Sequence, residues 1–116
     1  MKVIIAGGRD FDKGHVVIQA IKEFKQEHGQ IDEIVCGMAK GADVMGLNYG
    51  RIWGIPVKEF PADWNRHGKS AGYVRNKQMA EYADALIAFW DGKSKGTAMM
   101  IDLARRHQIA MKIVYY

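Results

Sequence analysis

Five short apolar runs alternate with four stretches of helical period along this chain, and that alternation constrains the fold more than any other feature. The runs are Lys2–Ala6, Ile31–Cys36, Ile55–Phe60, Ala85–Trp90 and Ile109–Tyr115. Ala85–Trp90 is wholly apolar and is bounded by Asp84 and Asp91-Gly92, the pattern of a strand buried on both faces. Between the first two runs, Val16, Val17, Ala20, Ile21 and Phe24 recur at helical spacing while Lys22, Glu23, Lys25 and Gln26 face out. This predicts a helix from about Asp12, as N-cap, to a stop at Gly29. Further helices are predicted over about Ala42–Trp53, Tyr73–Tyr82 and Gly96–His107. Strands that alternate with helices require a parallel sheet with right-handed crossovers. The expected architecture is therefore α/β: a Rossmann-like, doubly wound, parallel five-stranded sheet of order 3-2-1-4-5 in a single domain over residues 1–116. Pro56 predicts that the third strand lies at an edge.

Ligands of such sheets bind outside the carboxyl ends of the strands, at the crevice where the winding reverses. Here that crevice falls between strands 1 and 4. Four strand-to-helix loops meet there: Gly7–Asp10, Gly37–Asp43, Pro61–Gly72 and Asp91–Thr97. All four are polar and contain glycine, whereas the returning connections are short and plain. Pro61–Gly72 is the longest stretch expected to be irregular, and long loops in compact domains are usually functional.

Each loop offers a chemical reading beside a structural one. Gly7-Gly8 lets the backbone approach a ligand, or simply makes a tight turn. Arg9 either pairs with Asp10 or grips a phosphate. Gly37, Gly41 and Ala42 bring amides to a helix start, where Asp43 either offsets the dipole or accepts from a ligand hydroxyl. Trp64 stacks a base or packs the loop. Arg75, in the first turn of a helix leading into strand 4, is read as a ligand contact or as a solvated arginine on a helix face, and Asn76 beside it as a further ligand contact. Asp91, Gly92, Ser94, Gly96 and Thr97 form a strand–glycine loop–helix unit suited to an anion, with the Ser94 and Thr97 hydroxyls capping the last helix and donating to phosphate.

Several classes are excluded or disfavoured. No G-x-G-x-x-G is present, and Gly68-Lys69-Ser70 and Gly92-Lys93-Ser94 have Asp63 and Ile87 where a P-loop requires glycine. His15, His28, His67 and His107 are scattered without metal-ligand spacing, so no metal and no resident cofactor are expected. No apolar run approaches the roughly 18 residues of a membrane helix. The single cysteine, Cys36, reads as a buried structural thiol and fits a reducing, cytoplasmic setting. A net charge of +4 permits an acidic partner. The cations Arg66, Lys69, Arg75 and Lys77 leave nucleic-acid binding only as a weaker alternative.

Taken together, Gly7-Gly8-Arg9-Asp10-Phe11, Gly37-Met-Ala-Lys-Gly-Ala-Asp43, Pro61-Ala-Asp-Trp64, Ala71-Gly-Tyr-Val-Arg-Asn76, Ala83-Asp84, Ala88-Phe-Trp-Asp-Gly92 and Gly96-Thr97 resemble the SLOG superfamily, in particular its small YspA/YpsA-related members from bacteria and phages. The resemblance implies a Rossmann-like fold, a nucleotide or nucleotide-derived phosphorylated ligand, and a homo-oligomer. It is more distant to the DprA proteins, which bind nucleic acid, and to the LOG phosphoribohydrolases, which cleave the N-glycosidic bond of nucleoside monophosphates. Arg75, Met79-Ala80, Ala83-Asp84-Ala85 and Gly96-Thr97 match the LOG pattern, but the position of its catalytic glutamate is Met99. Such a reaction needs a carboxylate. Asp10, Asp43 and Asp91, with Arg75 beside them, are then the candidates for catalysis.

Overall fold

A computed structural model describes all residues, 1–116. Its five strands, β1 (Lys2–Gly7), β2 (Glu33–Cys36), β3 (Val57–Glu59), β4 (Ala85–Trp90) and β5 (Ala110–Tyr115), form one all-parallel sheet in the order β3-β2-β1-β4-β5. This is the expected topology, with β3 at the edge. Its register aligns Gly7 with Phe89 and Trp90 with Tyr115, so β1, β4 and β5 end at one level.

The helices are α1 (Gly14–His28), α2 (Ala42–Trp53), α3 (Trp64–His67), α4 (Ala71–Tyr82) and α5 (Lys95–Arg106). Strand alternation assigns the two faces. Val3, Ile5, Ile34, Ile87 and Phe89 pack with Val17, Ile21 and Phe24 of α1. Ile4, Val35, Leu86 and Ala88 pack with Met79 of α4 and Met100, Ile101 and Leu103 of α5. Each of the Val, Leu, Ile, Phe and Met side chains among them contributes on the order of 1.5–3 kcal/mol by leaving water.

Three boundaries depart from the sequence expectation. Helix α1 begins at Gly14, and Asp12 is not its cap: Lys13 holds that position without a side-chain bond. The residues before it are spent turning Phe11 back onto Phe89, with ring centroids 4.9 Å apart. Strand β3 is only Val57–Glu59, because Pro56 has no amide to donate and contributes only its carbonyl, which accepts from Ile34 N at 2.9 Å. The stretch Pro61–Gly72 is not irregular. Asp63 accepts from Arg66 N at 3.1 Å and starts α3. A 3₁₀ turn at Gly68–Ser70 then runs straight into α4, which begins two residues ahead of Tyr73.

Candidate functional site

A cleft of about 450 Å³ opens at the carboxyl ends of β1 and β4, where the sheet reverses. Residues from all four anticipated loops line it. Gly7, Gly8, Arg9 and Asp10 come from the first, Asp43 from the second, Trp64 from the third, and Ser94, Gly96 and Thr97 from the fourth; Arg75 and Asn76 come from α4. Gly37, Gly41, Ala42, Asp91 and Gly92 do not line it. They act on the loops that do.

Gly41 shows how. It has φ +79°, and a Cβ there would lie 2.1 Å from the Gly8 carbonyl oxygen, so the first two loops touch backbone to backbone. Ala42 is fully buried beneath Gly7, where a Cβ would lie 2.9 Å from that of Ala42. Gly37 separates Asp43 from Arg75: a Cβ on it would meet Asp43 Oδ2 at 2.8 Å and Arg75 Nη1 at 2.9 Å. Met38, beside it, adopts φ 63°, unusual outside glycine, and its amide donates to Cys36 Sγ at 3.4 Å. Burial raises the Cys36 thiol to about 11, consistent with a structural role.

The Arg75 guanidinium is fixed at two points. Nε donates to Asn76 Oδ1 at 2.8 Å, and Nη1 donates to the Gly37 carbonyl. Asn76 is itself buried, so the anchor is rigid. Burial lowers the affinity of Arg75 for its proton, as does Arg9, while Asp43 and Cys36 oppose the shift; a guanidinium stays charged regardless. Arg9, exposed at the rim, does not pair with Asp10. Asp10 instead accepts from Tyr116 Oη at 2.9 Å. Tyr116 packs on Phe11 with ring centroids 4.7 Å apart, and partial burial and Asp10 push its hydroxyl up to about 12. Nothing in the sequence marked Tyr116, since it follows the last strand and belongs to no loop motif.

Asp43 is 4% exposed. Ala39 N donates to its Oδ2 at 3.4 Å, and the amides of Gly7 and Gly37 also stabilise its charge. Burial outweighs these and the pull of Arg75, raising the carboxyl to about 6. The amide cradle anticipated for a phosphate at the first two loops is thus turned on an internal carboxylate. Gly8 N is also committed, donating to Phe89 O at 3.2 Å.

The fourth loop differs. Asp91 accepts from Lys93 N at 2.8 Å and Ser94 N at 2.7 Å, bonds that hold its carboxyl below the usual range and shape the turn. Trp90 Nε1 donates to Ser94 O at 3.1 Å. The Ser94 and Thr97 hydroxyls do not cap α5; they lie 3.3 Å from each other. The first helical turn bond is Ala98 N to Ser94 O, which leaves the Lys95, Gly96 and Thr97 amides without intrahelical acceptors.

Ala6, Met79, Met99 and Met100 add apolar lining, Met99 and Met100 from the same helix as Gly96 and Thr97. Met79 and Met100 are core residues that also reach the lining. Trp64 stands at the lip, 56% exposed, and is not core. Asp102 pairs with Arg106 at 3.0 Å and is absent from the cleft lining.

A parallel sheet of order 3-2-1-4-5 with a polar, arginine-bearing cleft at its switch point defines a Rossmann-like ligand-binding domain. The chain belongs to the YspA, cpYpsA-related SLOG family, whose model matches residues 1–67. That family has a nucleotide-related ligand-binding fold. The chain is also similar to the Gene 61 protein of Mycobacterium phage D29, at 33% identity over 83% of this chain and 82% of that one. No solved structure matches it. The family match covers the first two glycine loops and Trp64, while Arg75, Ser94 and Thr97 lie beyond it. No helix is long and apolar enough to cross a membrane.

Proposed function

We propose that the cleft binds a nucleotide or nucleotide-derived ligand through its phosphate. The observation that carries this reading is Arg75, held at two points by Asn76 and Gly37 while it lines the same cleft as Ser94, Thr97 and the open first turn of α5. A fixed guanidinium and unpaired helix amides are complementary to a phosphate. The methionine wall and the exposed Trp64 ring suit a base. Thermal-shift screening against mono-, di- and cyclic nucleotides, followed by calorimetry, tests the proposal. A hit that Arg75→Ala abolishes supports it; a hit that Arg75→Ala leaves unchanged, or no hit across the panel, refutes it.

A second reading, cleavage of a nucleoside phosphate, is favoured by one observation: Asp43 is a cleft carboxyl raised to about 6, close to the range in which a group serves as acid or base near neutrality. Met99, at the position of the LOG glutamate, supplies no such group. Incubation with nucleoside monophosphates tests it by release of free base, and intact nucleotide across the series eliminates it.

A further inference from the structure

A second concavity, of about 210 Å³, runs between α1 and α2 and shares no residue with the cleft. Val17, Ile18, Met45, Tyr49, Ile52 and Trp53 form its apolar surface. Ile52 is 76% exposed and Trp53 62% exposed, side by side on the last turn of α2. Adjacent large apolar side chains beside a groove are the composition of a contact surface.

The segments that line this groove, residues 14–18 and 45–53, carry no acidic side chain but include Arg51. Lys22 lies one turn beyond Ile18 on α1, and Lys25 Nζ stands 5.8 Å from the centre of the Tyr49 ring. The acids of α1, Glu23 and Glu27, fall on the opposite flank of the helix, where Lys112 of β5 binds them at 3.4 and 3.1 Å. An apolar groove banked by unopposed cations is complementary to a segment with an apolar stripe and acidic flanks. A second copy seated face to face would set these cations against their own kind. A flat bilayer would leave the concavity unfilled.

We propose that the α1–α2 groove docks an acidic amphipathic helical segment of a protein partner, with Trp53 and Ile52 as its anchors. The test uses the full chain and two synthetic peptides of about four helical turns. Both carry leucine at i, i+3, i+4 and i+7; one has glutamate at the remaining positions and the other lysine. Affinities are measured by calorimetry, and the contact is located through the Trp53 indole N–H signal, assigned with Trp53→Phe. The acidic peptide is expected to shift that signal and to bind at least tenfold more tightly than the basic one. Ile52→Ala and Trp53→Ala should each weaken it about tenfold or more, with unchanged thermal midpoints because both side chains are exposed. Combining Lys22→Glu, Lys25→Glu and Arg51→Glu should reverse the preference between peptides. Equal binding of both peptides, or no binding, overturns the proposal. So does a dimer that Trp53→Asp dissociates, which assigns the groove to a second copy, or binding to phosphatidylserine vesicles without binding to the acidic peptide.

Discussion

Replacing Asp43 by asparagine should stabilise the protein more at high pH than at low pH, relative to the wild type. The folded carboxyl is raised from 3.8 to about 6, a shift of roughly two units, each worth about 1.4 kcal/mol. The ionised side chain therefore costs the fold up to about 3 kcal/mol at pH 8. The sign follows from proton binding. With the folded value above the unfolded one, the native state holds more protons between about pH 4 and pH 6. The contribution of this group to stability falls as pH rises through that window and is constant above it. Asparagine does not titrate. Its NH₂ group faces the amide donors of Ala39, Gly7 and Gly37 at a cost of about 1–3 kcal/mol, but that cost is the same at every pH. Urea unfolding of both proteins at pH 4, 6 and 8 and fixed ionic strength isolates the effect, because every other titrating group cancels in the difference. The stability difference should move in favour of Asp43→Asn by up to about 3 kcal/mol between pH 4 and pH 8. A difference that stays flat, or moves the other way, refutes the argument that Asp43 is held at the expense of stability.

Gly41→Ala should destabilise by more than about 2 kcal/mol in urea unfolding, since φ +79° is joined by a clash with the Gly8 carbonyl. Gly54→Ala, at φ +70° but in open space, should cost only about 1 kcal/mol, and equal losses would remove the clash from the account. Trp64→Ala should leave the thermal midpoint in place while weakening a nucleotide found by screening by about tenfold, as expected for a lost stacking contact; unchanged affinity would take Trp64 out of the site. Cys36 should resist iodoacetamide at pH 8 until the chain is unfolded, because its thiol is raised to about 11.

Topology was legible because it rests on patterns that repeat: five apolar runs with two-sided burial and helices whose apolar stripes face them. The convergence of four loops followed from topology alone. What could not be read was which hydrogen-bonding groups remain free once the chain has closed. The Gly7–Gly8 and Gly37–Gly41 amides looked like a phosphate cradle, but the Gly7 and Gly37 amides stabilise the buried Asp43 at the end of the second motif, and Gly8 N donates to Phe89 O. Ser94 looked like a helix cap, but Asp91 three residues earlier already organises that turn. Side-chain direction, not residue type, decides both cases. Asp10 was legible as a loop acid, but its partner Tyr116 lies 106 positions away in the sequence. Trp64 was equally compatible with loop packing and with an open ring until α3 placed it at the lip.

The seating of Gly41 on the Gly8 carbonyl bears on the entropy of any ligand that enters the cleft. Loops that meet backbone to backbone have surrendered their freedom during folding, before a ligand arrives. The third loop is likewise wound into α3 and a 3₁₀ turn rather than left open. A ligand thus meets walls already in place and gives up little of its contact energy to ordering them. In a chain of 116 residues, with few contacts to spare, this spares the modest interaction energy of one arginine, a helix end and an aromatic lip for affinity.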